Sequence, residues 1–263
     1  MDLGLQQRVA VVLAGSAGLG RAAAKALAAE GARVAICARE ETRLRATQLE
    51  LETVRPGEVL AEVVDVTDSD RLVDFLTRVH ARWGRLDILV TNAGGPPTGR
   101  AREISLERLE EGYRITLRSA VVAIQTVLPW MRANKWGRII ALTSSSVRQP
   151  IDNLVTSTSM RAALTGYLKT LSREVAADGV LVNSICSGMF MTDRLQELTE
   201  LRARESGRSR EEELSRMAAD IPLGRVGVPD ELGALVAFLA SEKASFLNGV
   251  ALPCDGGADR HLL

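Results

Sequence analysis

The chain of 263 residues reads as a single α/β domain, a doubly wound parallel sheet with helices on both faces. Three observations predict this. Short β-rich apolar runs alternate with longer stretches of helical periodicity from one end to the other. Most of the runs are apolar at consecutive positions, as strands must be when helices cover both faces of a sheet. The turn after the first run is rich in glycine and opens directly into a helical pattern.

Seven runs read as strands: "RVAVVL" (8–13), "RVAICA" (33–38), "VLAEVVDV" (59–66), "DILVTN" (87–92), "RIIALT" (138–143), "VLVNSIC" (180–186) and "GVALPC" (249–254). Helical patterns lie between them, at 18–30, 41–53, 68–83, 105–134, 157–178 and 229–240. Strand and helix in repeated succession give right-handed βαβ units and hence a parallel order. Pro129 lacks the N–H that an interior helical position donates, so it is expected to bend the 105–134 helix. Residues 189–221 break the rhythm, being charged, with apolar residues at helical spacing, where a single crossover suffices. They read either as two short helices forming a lid or as a solvated surface excursion.

The 33 Lys and Arg balance the 33 Asp and Glu, so the chain offers no long-range attraction to nucleic acid or to an anionic membrane. Cys37, Cys186 and Cys254 are far apart, without metal-ligand spacing, and an odd number argues against a fully paired disulfide framework. Reduced, mostly buried thiols fit the cytoplasm. The apolar stretch 9–20 follows Asp2 and contains Gly15, Gly18 and Gly20, unlike a signal peptide. No run reaches the ~18 apolar residues of a membrane helix. A soluble, cytoplasmic protein is expected, with no metal, no nucleic-acid partner and no membrane partner.

The first turn, "AGSAGLG", brings Ala14, Gly15, Ser16, Gly18, Leu19 and Gly20 to the start of a helix. Backbone N–H groups in such a turn approach a pyrophosphate, whose charge the helix N-terminus favours, which is the dinucleotide-binding arrangement of a Rossmann fold. At the end of the second strand stands Arg39. An acidic residue there binds the ribose hydroxyls of NAD, whereas an arginine accommodates a 2′-phosphate, so NADP is favoured over NAD. The competing reading of Arg39 is a solvated residue opening a charged helix with Glu40 and Glu41.

Further on, "DV" (65–66), "TNAGG" (91–95) and "GRVGVPDELGALVAFLAS" through "DGG" (224–257) resemble the short-chain dehydrogenase/reductase family. They are similar to its adenine contact, its Asn-Ala-Gly turn after the fourth strand and its C-terminal signature. The resemblance covers nearly the whole chain and points to the 3-oxoacyl-acyl-carrier-protein reductase-like subgroup. It implies that the adenine meets Asp65 and Val66, the ribose Asn92, Ala93 and Gly94, and the nicotinamide end Gly188 and Thr192. Two departures touch the nucleotide. Leu13 and Ala14 stand where the family has threonine and its first glycine, and Ser187 replaces the proline before Gly188. The Cβ of Ala14 falls at the tightest point of the turn, and Gly15 beside it is expected to absorb the unusual dihedral.

Members of this family reduce a carbonyl with four residues: a serine ending the fifth strand, a tyrosine and a lysine four apart on the next helix, and an asparagine on the preceding one. The tyrosine gives its proton to the developing alkoxide because the lysine cation and the cofactor lower its pKa. Setting "RAALTGYLKTLSREVA" on the family helix puts Ser157 at the tyrosine position and Arg161 at the lysine position. Ser144, in "TSSS", keeps the serine position at the family spacing, and Thr116, in "RITLRSA", takes the asparagine position. Tyr167 lies ten residues beyond Ser157 and is expected to pack, while Lys169 is expected to face solvent or a partner subunit.

An alkyl hydroxyl is a far weaker acid than a phenol, and arginine stays protonated, so Ser157 and Arg161 cannot act as a tuned acid with a proton-shuttling lysine behind it. The expected protein is an NADP(H)-dependent oxidoreductase of the short-chain type, reducing a carbonyl such as a 3-oxoacyl thioester to an alcohol with a degenerate catalytic tetrad. Ser144 and Ser157 bond the carbonyl oxygen directly or through a water. Arg161 supplies a fixed charge and holds the nicotinamide ribose, or grips a carboxylate or phosphate on the substrate. Ser157 as a helix N-cap is the competing reading.

Two other functions stay open. The substitutions and the altered turn also fit a catalytically silent nucleotide-binding or interaction protein on the same fold. "AGSAG" around Ser16 imitates the nucleophile elbow of a hydrolase, with Asp65 and His261 in a workable order. His80, between Arg78 and Arg82, reads as surface, and His261 as part of a frayed terminus or as a residue docking on a neighbouring subunit. The helices 105–134 and 157–178 resemble the family's dimer faces, so a homotetramer or homodimer is the expected assembly.

Overall fold

The computed structural model describes residues 1–262; Leu263, the last residue of the expected domain, lies outside them. The strands are β1 (Val9–Val12), β2 (Arg33–Ala38), β3 (Val59–Val63), β4 (Ile88–Thr91), β5 (Gly137–Leu142), β6 (Val180–Ser187) and β7 (Ala251–Cys254). They form one parallel sheet in the order β3-β2-β1-β4-β5-β6-β7. All seven expected runs are strands. β3 stops at Val63, short of the expected residue 66, because Asp65 Oδ1 accepts from the backbone N–H and hydroxyl of Thr67 at 2.9 and 2.8 Å and turns the chain.

The helices are α1 (Gly18–Ala29), α2 (Glu41–Val54), α3 (Ser69–Trp83), α4 (Leu106–Gly112), α5 (Ser119–Ala133), α6 (Val155–Val175), α7 (Asp193–Ser206), α8 (Arg210–Ala218) and α9 (Pro229–Ala240). Strand side chains alternate between two cores. Ala10 and Val12 join Leu27 of α1, Leu44 of α2 and Val236 of α9 on one face. Val9 and Val11 join Phe75 of α3, Ile124 of α5 and Leu168 of α6 on the other. Two-sided burial is the cause of the continuous apolar runs in the sequence.

Three expectations need correction. The 105–134 segment is not one helix bent at Pro129. Pro129 lies within α5, which continues as an α-helix, and the irregularity is a π-helical turn at Tyr113–Arg118 between α4 and α5. Gly112 precedes it, where any Cβ would run into Thr156 Cγ2, so the glycine lets α4 close on α6. The wide turn leaves Thr116 only 5% exposed, facing the interior. Secondly, α6 begins at Val155 after Leu154, which bridges to Gly99, so Ser157 sits inside the first turn and is not the N-cap. Thirdly, the left-handed dihedral expected of Gly15 falls on Ala14 itself, at φ 48°, with a second at Gly18, φ 52°, where α1 opens.

Residues 189–221 do form two helices, α7 and α8, packed around Ala218, Ile221 and Val226. The segment is rooted where Met191 N donates to Gly227 O at 2.8 Å and Gly227 N to Met189 O at 3.0 Å. Thr192 caps α7 by accepting from Leu195 N at 3.4 Å.

The glycine turn is held by close approaches. A Cβ at Gly15 would stand 2.8 Å from Ile36 Cγ2, and one at Gly20 would meet the Ala14 carbonyl and stand 2.7 Å from Asn92 Nδ2. Substitutions here therefore have opposite signs. Ala14→Gly relieves a left-handed alanine and is predicted to gain up to about 1 kcal/mol, while Gly20→Ala is predicted to lose about 1–3 kcal/mol by overpacking. Urea unfolding midpoints at constant m-value measure both.

Candidate functional site

The strand order reverses at the centre of the sheet: from β1 the chain runs outward through β2 and β3, then returns to place β4 on the other side of β1. Crossovers leaving in opposite directions open a crevice at the carboxyl ends of β1 and β4. A cleft of about 480 Å³ occupies it, running from Arg39 to Arg161. Its floor is tied where Asn92 Nδ2, just past β4, donates to the Ala14 carbonyl, just past β1, at 3.3 Å.

At one end, Arg39, Asp65 and Val66 line the cleft, with Arg39 Nη1 3.9 Å from Asp65 Oδ2. Glu40 and Arg43 line it too. The N–H groups of Arg43 and Thr42 donate to the Glu40 carboxylate and hold it below the usual carboxylate range, so its charge is turned onto the start of α2. In the middle, Ala14, Ser16, Gly18 and Leu19 face Asn92, Ala93 and Gly94. Gly15 and Gly20 lie behind this wall, where they permit the close approaches already described.

At the inner end, Thr192 lines the cleft, whereas Gly188 does not: its open side packs on Asp255, 2.5 Å from where a Cβ would be. Ser187 lines the cleft instead and donates its hydroxyl to Thr143 O at 2.8 Å, tying β6 to the end of β5. Arg161 is fixed by donating from Nε to Ser157 Oγ at 3.2 Å and from Nη1 to the Leu142 carbonyl at 3.0 Å. Burial, with a smaller contribution from the cation of Arg194, pulls its pKa down to about 10, so it remains charged at neutral pH. Ser157 lies behind Arg161 and is 8% exposed.

Thr116 and Arg161 meet at a small cavity of about 10 Å³ beneath the cleft, together with Thr91 and Asn92. The hydroxyls of Thr91 and Thr116 are buried there without a hydrogen-bond partner in the protein. Ser144 stands apart: its hydroxyl accepts from Ser146 N at 3.1 Å and caps the short turn Ser145–Val147. The structure thus brings Thr116, Ser157 and Arg161 together and gives Ser144 a local role.

The remaining polar residues are accounted for elsewhere. Tyr167 packs on the α3/α5/α6 core, where burial and then Glu174 raise its phenol above the ordinary value, opposite to an activated acid. Lys169 does not simply face solvent, since its Nζ donates to Gly249 O at 2.8 Å. His80 is stacked on Trp130 at 4.3 Å and is not a plain surface residue. His261 Nδ1 lies 2.8 Å from Asp259 Oδ1, and Asp259 pairs with Arg148, which ties the tail down. With Asp65 engaged by Thr67 and His261 by Asp259, the described contacts assemble no triad around Ser16.

Burial drives the Cys37 thiol up to about 12, and among the described residues all three cysteines are free. No group of three or more His, Cys, Asp or Glu there is placed to hold a metal, and no helix is long and apolar enough to cross a membrane.

Several lining residues carry no sequence signal of their own. Arg43 and Arg194 sit in charged helical stretches, and Ser187 was notable only as a missing proline.

Residues 13–259 match the family model described as Enoyl-(Acyl carrier protein) reductase. A putative ketoacyl reductase of the monensin polyketide synthase from Streptomyces virginiae is 32% identical over 254 residues, 95% of this chain and 96% of its own length. A 3-oxoacyl-[acyl-carrier-protein] reductase from Escherichia coli (strain K12) is 30% identical over 255 residues, 97% of this chain and 98% of its own. The crystal structure of L-sorbose reductase from Gluconobacter frateurii, complexed with NADPH and L-sorbose, superposes with a TM-score of 0.96 at 31% identity over 100% of both chains. The crevice at the strand reversal, the glycine turn and matches over nearly the whole length make this chain a member of the short-chain dehydrogenase/reductase family.

Proposed function

We propose that the chain is an NADP(H)-dependent oxidoreductase that reduces a carbonyl, a 3-oxoacyl thioester or similar ketone, to an alcohol with Thr116, Ser157 and Arg161 in place of the family's asparagine, tyrosine and lysine. The observation that carries this reading is the continuous cleft with arginines at both ends and a glycine turn between them. Related proteins named as NADPH-dependent reductases and ketoacyl reductases support it. A cytoplasmic homotetramer or homodimer is the assembly proposed, by likeness to the family's dimer faces.

The residues fit the dinucleotide. Gly18, at φ 52°, and the N-terminus of α1 present N–H groups and positive potential to a pyrophosphate. Arg39 and Arg43 flank the end of β2, where a 2′-phosphate is recognised. Asp65, Val66, Asn92, Ala93 and Gly94 frame the adenosine half, and Thr192 the nicotinamide half. When bound, NADPH supplies the hydride for the carbonyl carbon.

The protein's own part is orientation and charge. Arg161, fixed by Ser157 and Leu142, places a cation, present at neutral pH, at the inner end of the cleft, where it stabilises negative charge developing on the carbonyl oxygen. Ser157 accepts from Arg161 Nε and so positions that cation, the unpartnered Thr116 hydroxyl lies at the small cavity beside Arg161, and Ser144 keeps its capping role. The last proton comes from water, because no side chain in the site is a tuned acid. General acid catalysis is worth ~10²–10⁴ in rate, about 3–5 kcal/mol, whereas orientation supplies about 7–11, so reduction is slow but retained.

A silent nucleotide-binding protein is the second reading, favoured by the local engagement of the Ser144 hydroxyl. NADPH oxidation with acetoacetyl thioesters and diketones separates the two. The wild type is expected to turn over slowly, and Thr116→Asn/Ser157→Tyr/Arg161→Lys to raise kcat by about 10²–10⁴. Tight NADPH binding without turnover on the whole panel supports the silent reading, and a triple variant no faster than wild type removes these residues from the reaction.

The pH profile is a second check. The Arg161 cation is present below its pKa of about 10 and is lost above it. With no acid tuned to neutrality, kcat/KM is predicted to be flat from roughly pH 6 to 9 and to fall as pH rises through 10. An inflection near neutrality would reveal a different proton donor.

A further inference from the structure

Arg194 was not among the expected site residues. It stands in the first turn of α7 and reaches across the cleft, so that its guanidinium packs on Gly95, with Cζ 2.5 Å from where a Cβ would be. Thr192, two residues earlier, lies against the opposite wall, its Cγ2 3.2 Å from the position of a Cβ on Gly18. The start of α7 therefore touches both the glycine turn and the Asn92–Gly95 turn.

Arg161 and Arg194 line the same cleft, and neither has a carboxylate within 4.0 Å among the described residues. Other arginines of the chain do find one: Arg148 pairs with Asp259, Arg208 with Glu213 and Arg225 with Glu231. The Arg194 side chain makes no hydrogen bond among the described residues, and that of Arg161 uses only Nε and Nη1, leaving Nη2 undonated. The two cations are close enough that Arg194 disfavours the charge on Arg161. Asp193 also lines the cleft, but like charges in one cleft with no carboxylate in ion-pair range are unfavourable, and an anion bound to both reverses the sign of the interaction. Guanidinium forks match carboxylate and phosphate oxygens in pairs.

We propose that Arg194, delivered by α7, forms with Arg161 a two-guanidinium receptor for an anionic group, a phosphate or a carboxylate, in the inner half of the cleft. The inference rests on the reading that this cleft takes a dinucleotide and a carbonyl substrate. The anion is carried by one of two sources, the pyrophosphate of the cofactor or an acidic group on the substrate.

The test compares the wild type with Arg194→Gln and with Arg202→Gln, which removes an exposed charge from the same helix outside the cleft. Calorimetry measures inorganic pyrophosphate, malonate, NADPH, and acetoacetate against its neutral methyl ester. Arg194→Gln is expected to weaken pyrophosphate or malonate about 10- to 100-fold, with Arg202→Gln close to wild type. A parallel loss of NADPH affinity assigns the anion to the cofactor. Unchanged NADPH affinity with a loss of acetoacetate, but not ester, binding assigns it to the substrate. Anion binding that is absent from the wild type, unaffected by Arg194→Gln, or equally reduced in Arg202→Gln overturns the receptor. A wild type that binds the small anions but not NADPH contradicts the dinucleotide reading and leaves the receptor standing.

Discussion

The reversal of strand order between β1 and β4 is the constraint on which everything else in this molecule depends. It sends consecutive crossovers to opposite sides and leaves a crevice that no connection fills. Both lips of the crevice are backbone turns, and their separation is set by one short contact, Asn92 Nδ2 to the Ala14 carbonyl at 3.3 Å. Gly20 makes that contact possible by lacking the Cβ that would fall between the two. The same geometry places the end of β5 beside the crevice, so that the Leu142 carbonyl orients the Arg161 cation at its inner end.

In the proposed reaction that cation carries the chemistry. A lysine in a buried site can be tuned and can pass a proton, whereas a guanidinium holds its charge and offers several donors in a rigid fork. Arg161 spends two of these on Ser157 and Leu142 and keeps the rest for the cleft. The site is thereby suited to gripping and orienting an anion or a developing oxyanion. The proposed catalysis by position and fixed charge, with the proton taken from water, rests on that exchange of residue types.

Much of this was legible in the sequence, for identifiable physical reasons. Parallel strands buried on both faces cannot hide among polar residues, so all seven were readable, and β3 was overrun only because the turn made by Asp65 and Thr67 leaves the apolar run intact. The π turn at Tyr113–Arg118 was invisible because a single wide turn barely disturbs helical periodicity. Propensity assigned the left-handed dihedral to Gly15, but packing against Ile36 already requires a glycine there, and the dihedral fell to Ala14. A serine near a helix start looks like a cap, yet the bridge of Leu154 to Gly99 begins α6 two residues earlier. Arg194 had no signal at all: an arginine in a charged amphipathic segment is indistinguishable from its neighbours until the fold brings it across to Gly95.

Direct titration of the purified protein with NADPH and NADH by calorimetry tests the central claim, that a dinucleotide lies along the cleft from Arg39 to Arg161. The account predicts one NADPH per chain, bound at least about 10-fold more tightly than NADH because Arg39 and Arg43 meet the 2′-phosphate. Heat of binding for neither nucleotide, in either redox state, would contradict it.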